Sequence, residues 1–215
     1  RNMFKVTPDT LVPRPETELL VESIVMAAEA VGGDVKILDI GTGSGAIIVS
    51  LLDYLPQAKG VGVDISVGAL TVAKENAVAI GVAERAGFLR SDVFSALPLD
   101  KKFDIIVSNP PYIPAADIAG LAKDVQKEPL GALDGGEDGL DFYRRITKEA
   151  PLHMVEDGLL AFEIGIYQGE AVAEMCKAAG FGAVAIRKDY AGIERMVFAA
   201  KEGGKYADLL LEIAK

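Results

Sequence analysis

FDIIVSNPPYIP, residues 103–114, is the stretch from which the rest of the chain can be read. Ile105, Ile106 and Val107 form the β-branched run expected of a strand buried on both faces. The strand has to stop at Asn109, because Pro110 and Pro111 bring no backbone N–H to a ladder. Pro111 also biases Pro110 towards an extended conformation. The outcome is a stiff turn at the carboxyl end of a buried strand, where open α/β sheets place their ligands. It offers the Asn109 amide, the Pro110 carbonyl and the Tyr112 ring. Two oxygens that each accept one N–H, beside a ring that can stack, suit a planar group carrying an NH2. The plain alternative is a proline-terminated strand with an Asn turn.

Upstream, residues 35–40 (VKILDI) read as a buried strand, followed at once by Gly41, Thr42, Gly43, Ser44 and Gly45 and an apolar helix over 46–55. Glycines at 41, 43 and 45 allow a tight turn and close approach of a ligand to the helix N-terminus. With Ala46 the pattern also satisfies GxGxxA, so a dinucleotide site has to be weighed. A second strand, 60–64, ends in Asp64, whose carboxylate suits the two ribose hydroxyls of an adenosine. Ser66 is placed to cap a helix of about 14 residues. A third strand, 87–92, ends in Asp92, which is read either as a partner for an adenine amino group or as an Asx turn.

The flanks are less regular. Residues 3–12 alternate loosely and predict a short strand or hairpin. It leads into Pro13, Arg14 and Pro15, with a helix opening at Glu16 or Thr17. Arg14, fixed between two prolines, is either part of a helix entry or lines a site. Beyond Tyr112 the chain shows little apolar periodicity up to about residue 140, and a loop of that length is functional or mobile. A helix follows from near Asp141, then a fifth strand at 158–164 with Glu163 near its end. A helix at 168–179, strands at 183–188 and 195–200, and an amphipathic tail over 205–215 complete the pattern. The last strand is expected to be antiparallel.

With 215 residues, 50% hydrophobic and 25% charged, the chain can bury a full core as one domain. Its 22 Lys+Arg against 32 Asp+Glu give a net charge of −10. That counts against sequence-independent binding of nucleic acid, which needs phosphate-neutralising cations. One cysteine, Cys176, and one histidine, His153, exclude an internal disulfide and the usual transition-metal clusters, so no metal is expected. No apolar run is long enough to cross a bilayer, and a cytoplasmic protein without a membrane partner is expected. The chain begins at Arg1 rather than Met, and is expected to be a fragment.

The βαβ alternation predicts an α/β, doubly wound, mostly parallel seven-stranded sheet with the last strand antiparallel. Two cofactors fit the glycine loop: a nicotinamide dinucleotide or S-adenosyl-L-methionine. A dehydrogenase lacks a hydride-transfer partner at the fourth strand. The methyl-donor reading uses Asn109, Pro110, Pro111 and Tyr112 directly, as the clamp for an NH2 that receives a methyl group. A nucleotide-binding module without activity is the other class to be weighed.

Four blocks carry a closer likeness: PRPETE at 13–18, LDIGTGSG at 38–45, VSNPPYI at 107–113, and EPL at 128–130 followed by GLD at 139–141. With them the sequence resembles the HemK/PrmC family, the protein-(glutamine-N5) methyltransferases that modify peptide-chain release factors. Asn-Pro-Pro-Tyr alone is shared with methyltransferases of adenine and guanine amino groups, which stand as the alternative. The proline-arginine-proline block joined to it is more specific. The resemblance implies a Rossmann-like class I S-adenosylmethionine-dependent methyltransferase fold, with S-adenosyl-L-homocysteine as product. Residues 1–215 would form the catalytic domain, with a lid segment over 1–18. The small helical domain usual ahead of it would be missing. By the same likeness, residues 41–45 and Asp64 would hold the cofactor, with Asp92 and Val93 flanking the adenine; some relatives carry an aromatic in place of Val93. Asn109 would touch cofactor and substrate, and Pro110, Pro111 and Tyr112 would complete a glutamine pocket. The implied partner is a release factor, with no direct nucleic-acid partner and a monomer as the expected state.

Overall fold

The computed structural model describes residues 3–214. Its elements run α1 (Pro15–Val31), β1 (Lys36–Ile40), α2 (Ala46–Tyr54), β2 (Lys59–Asp64), α3 (Val67–Ile80), β3 (Ala86–Arg90) and β4 (Phe103–Ser108). They continue with α4 (Leu130–Leu133), α5 (Asp141–His153), β5 (Met154–Glu163), α6 (Gly169–Ala178), β6 (Ala183–Lys188), β7 (Glu194–Ala200) and α7 (Ala207–Ile213). The sheet has seven strands in the order β3-β2-β1-β4-β5-β7-β6. β7 is antiparallel to both its neighbours, β5 and β6, and the remaining pairs are parallel. This is the doubly wound α/β arrangement that the sequence predicts.

The apolar run of β4 is divided between two cores because successive side chains point to opposite faces. Ile105 and Val107 join one cluster with α1 and α2, while Ile106 joins a second with Tyr143, Ile146 and Ala150 of α5. Leu159 and Ala161 of β5 repeat the first face and Leu160 and Phe162 the second. A strand covered on both sides is what parallel crossovers produce. β1 lies between β2 and β4, so the chain order reverses there and a crevice opens at the carboxyl ends of β1 and β4.

Ser66 caps α3 as expected, its Oγ accepting from the Ala69 N–H at 3.1 Å. Gly45 begins α2 at φ 80°, and a Cβ there would sit 3.1 Å from that of Ala73. The third glycine of the loop thus lets α2 pack closely on α3.

Two expectations are corrected. Residues 3–12 form no strand. The Asn76 side chain takes the place of a pairing strand, accepting from the Lys5 N–H at 2.8 Å and donating to the Lys5 carbonyl at 3.0 Å. The third strand ends at Arg90, and Asp92 lies in the turn beyond it. The cause is Ser91, whose hydroxyl donates to the Val93 carbonyl at 2.8 Å and accepts from the Ala96 N–H at 3.0 Å, folding the backbone out of the ladder. The aperiodic segment after Tyr112 is a loop that carries 3-10 turns at Ala115–Gly120 and Val125–Lys127 and the short α4. Smaller differences are that α1 starts at Pro15 and β5 at Met154.

Asn76 is 2% exposed and also donates to the Ser44 carbonyl at 2.8 Å. One side chain therefore ties α3, the glycine loop and the N-terminal segment together. Asn76→Ala leaves these backbone groups unmatched, and urea denaturation should show a loss of about 2–3 kcal/mol.

Candidate active site

Strand register assembles the site. Ile40 pairs with Val63 and with Ser108, and Ser108 pairs with Phe162. The next residue of each strand therefore stands in one row: Asp64, Gly41, Asn109, Glu163. Every one of these lies at the carboxyl edge, beside the crevice.

A cavity of about 240 Å³ opens over this row. Gly41, Thr42, Gly43, Ser44, Asp64, Asp92, Val93, Asn109, Pro110 and Pro111 all contribute to its wall. Gly45 does not, in keeping with its packing role. A second cavity of about 90 Å³ lies against the first and is lined by Tyr112, Arg14, Asn109 and Pro110 among others. Asn109 and Pro110 thus form a wall common to both, while Pro111 faces the larger and Tyr112 the smaller.

The larger cavity has two buried or anchored carboxylates at its glycine-loop end. Asp64 accepts from the Gly43 N–H through Oδ2 and the Ser66 N–H through Oδ1, each at 2.9 Å. Both oxygens are anchored and each keeps a lone pair for a hydroxyl. Asp39, the second residue of the LDIGTGSG block, is fully buried. The Thr42 hydroxyl donates to its Oδ2 at 2.7 Å, while Oδ1 has no partner among the described residues. A buried orphan acceptor beside the glycine loop fits a ligand bearing a cationic amino group. Burial pushes the Asp39 carboxyl up to about 7, with the Asp64 charge adding to it and the Thr42 bond opposing.

Asp92 lines the cavity with one oxygen engaged, Oδ1 accepting from Arg145 Nη2 at 2.8 Å. Val93 is buried at φ 53°, a conformation that strains a β-branched residue by about 1–3 kcal/mol. The Ser91 bonds noted above hold it there.

Around the smaller cavity the turn is braced from behind. Gln168 Nε2 donates to the Tyr112 carbonyl at 2.9 Å. Gly139 packs so closely that a Cβ would fall 2.3 Å from that same oxygen. Arg14 Nη2 donates to Glu128 Oε1 at 2.6 Å, joining the PRPETE and EPL blocks across the mouth. Burial, then the neighbouring Glu163 charge, pushes the Tyr112 hydroxyl up to about 12, so the ring stays neutral.

Glu163 is 2% exposed and accepts from the Thr17 hydroxyl at 2.7 Å. Burial raises its carboxyl to about 7, with Glu16 adding to the effect and Thr17, Arg195 and the Asn109 amide opposing it. In the sequence Glu163 stands near a strand end, where it is also read as a candidate proton acceptor after methyl transfer, and Thr17 stands at a helix opening. The partners Glu128, Gln168 and Gly139 were missed as contacts, since nothing in a linear pattern signals a bond across the chain.

A linkage prediction follows for Asp39. The folded protein keeps its proton up to about pH 7, whereas an unfolded chain releases it near 3.8. The folded state therefore binds more protons across that window, and stability falls as pH rises through it. Asp39→Asn should flatten this part of the stability–pH curve. Equal slopes for the two proteins in denaturant titrations would show that Asp39 ionises normally.

Comparison with known proteins gives this geometry a family. Residues 15–128 match the family model of the Methyltransferase small domain. A release factor glutamine methyltransferase from Cereibacter sphaeroides is 48% identical over 197 residues, covering 91% of this chain and 68% of that protein. A solved protein-(glutamine-N5) methyltransferase (release factor-specific) from Alicyclobacillus acidocaldarius is 30% identical with a TM-score of 0.56, covering 92% of this chain and 99% of that one. The T. thermophilus 16S rRNA N2 G1207 methyltransferase, solved with AdoMet and guanosine, shares the fold at 23% identity and a TM-score of 0.63, covering 88% and 44%. By these matches the chain belongs to the release factor glutamine methyltransferase family.

Proposed function

We propose that this chain methylates the side-chain nitrogen of a glutamine in the Gly-Gly-Gln loop of a peptide-chain release factor, using S-adenosyl-L-methionine. The observation that carries the proposal is the shared wall: Asn109 and Pro110 stand between a large cavity and a small one. Residues 41–44, Asp64 and Asp92 would hold the cofactor, and the small cavity with Tyr112 would take the amide. Bound there, S-adenosylmethionine supplies an electrophilic methyl group on a sulfonium.

The chain's own contribution is positioning and polarisation. An amide lone pair is delocalised into its carbonyl, which makes it a poor nucleophile. Asn109 Oδ1 and the Pro110 carbonyl accept the two N–H bonds, raise electron density on the nitrogen and aim it across the wall. Positioning of this kind contributes about 7–11 kcal/mol in favourable cases. Positive charge moves to the substrate nitrogen as the bond forms, so the two acceptors interact more strongly in the transition state. The nitrogen then releases a proton. We infer further that the chain acts as one catalytic domain whose segment up to residue 18 covers the mouth; Thr10, Leu11 and Pro13 in the cavity wall support this. With a net charge of −10, a protein substrate suits the surface better than a polyphosphate.

Three outcomes are expected. Asp64→Ala should weaken S-adenosylmethionine binding by about 1.5–3 kcal/mol in calorimetry, the scale of charge-assisted bonds. Asn109→Ala should lower turnover by about 10²–10³; unchanged turnover would make the turn structural only. Incubation with labelled methyl donor and separate portions of release factor, tRNA, rRNA and duplex DNA should label the release factor. Label in a nucleic acid alone would move the assignment to a base-amino methyltransferase.

A further inference from the structure

Asn109 can do its work in one orientation only. Its oxygen has to face the substrate N–H, and an amide that has turned over presents an NH2 there instead. The side chain therefore needs something behind it that distinguishes oxygen from nitrogen. Ser108 pairs with Phe162, so the residue behind Asn109 in the sheet is Glu163. The Glu163 side chain is buried, accepts from the Thr17 hydroxyl through Oε2 at 2.7 Å, and has Asn109 as its neighbour in the sheet. An ionised carboxylate has acceptors and no proton, so only the NH2 end of the amide can face it. The Oδ1 end is then directed to the other side, where the two cavities meet.

We propose that Glu163 is the positioning residue that sets the orientation of the Asn109 amide, and that a proton on Glu163 allows the amide to turn over and disables the acceptor. The inference rests on the proposed function, because it assigns a supporting role within that same site. A protonated carboxyl has an O–H to donate, and on the side away from Thr17 the neighbouring Asn109 amide offers Oδ1 as its acceptor. Protonation thus pulls towards Glu163 the oxygen that the substrate needs.

The surroundings place this switch in the neutral range. From α1, Glu16 and Thr17 face Glu163; from β7 comes Arg195, which lies 4.0 Å from Glu16 and 3.4 Å from Asp189. Tyr112 approaches from the substrate side, with Arg14 near it in turn. From α5, the Tyr143 hydroxyl donates to the Glu163 main-chain carbonyl at 2.8 Å, and burial keeps that phenol protonated. Burial and Glu16 hold the Glu163 proton up to about 7, against Thr17, Arg195 and Asn109. Activity should accordingly rise as pH rises through about 7 and then level off.

The test measures kcat and KM on intact release factor from about pH 5.5 to about pH 9 for the wild type, Glu163→Gln, Glu163→Asp and Thr17→Val. For Glu163→Gln, kcat should fall by about tenfold or more, with KM for S-adenosylmethionine little changed and no inflection near neutrality. Glu163→Asp should restore the inflection. Thr17→Val removes a bond to the ionised form and should move the midpoint to higher pH; it also keeps the inference testable should Glu163→Gln fail to fold. A Glu163→Gln profile that matches the wild type in rate and shape, or a Thr17→Val midpoint that stays put, overturns the inference. Neither result touches the proposed function so long as the wild type labels the release factor. A wild type that labels only nucleic acid sinks that function instead.

Discussion

Parallel pairing of β2, β1, β4 and β5 leaves the last residue of each strand beside that of its neighbour, and this row is what the site is made of. Ile40 against Val63 and Ser108, with Ser108 against Phe162, sets Asp64, Gly41, Asn109 and Glu163 next to one another. A slip of one residue in any pair would send that strand's buried side chains to the opposite core. The two packed faces therefore guard the register, and through it the spacing of polar groups at the edge. Hydrophobic burial, which has no direction of its own, is in this way converted into a fixed arrangement of donors and acceptors.

That arrangement carries a cost in charge. Asp39 and Glu163 are carboxyls out of reach of solvent, and burial lifts both to about 7. A chain of net charge −10 gains nothing in stability from two more buried acids. Each accepts from a hydroxyl, Thr42 in one case and Thr17 in the other. Each also stands beside a wall of the same cavities. Groups kept at such expense cluster where chemistry is done; here Asp39 holds Thr42 of the larger cavity's wall, and Glu163 stands next to Asn109 in the sheet.

Much of this could be read in the linear chain, for reasons that differ by residue. Prolines 110 and 111 must end a strand wherever they fall, so the boundary of β4 at Ser108 was legible. Ser66 is a cap whatever lies elsewhere, because its bond to the Ala69 N–H is local. The N-terminal segment misled, since its backbone pairs with a side chain 71 positions away, at Asn76. Asp92 misled by two residues because Ser91 diverts the backbone. The bracing of the turn by Gln168 and Gly139 and the meeting of Arg14 with Glu128 were invisible for the same reason as the Asn76 contact. Short-range chemistry shows in sequence, whereas bonds made by tertiary approach need the register first.

The shared wall has a further consequence, for the number of methyl groups a substrate receives. On the proposed reading, Asn109 Oδ1 and the Pro110 carbonyl each take one N–H of a primary amide. Once a methyl group is in place the nitrogen keeps a single hydrogen, and one of the two oxygens loses its partner, at a cost of about 1–3 kcal/mol. The added carbon also competes for the space between the cavities. A singly substituted amide is thus both poorly held and poorly aimed, so it leaves rather than reacting again. On that reading, product multiplicity is set by counting acceptors.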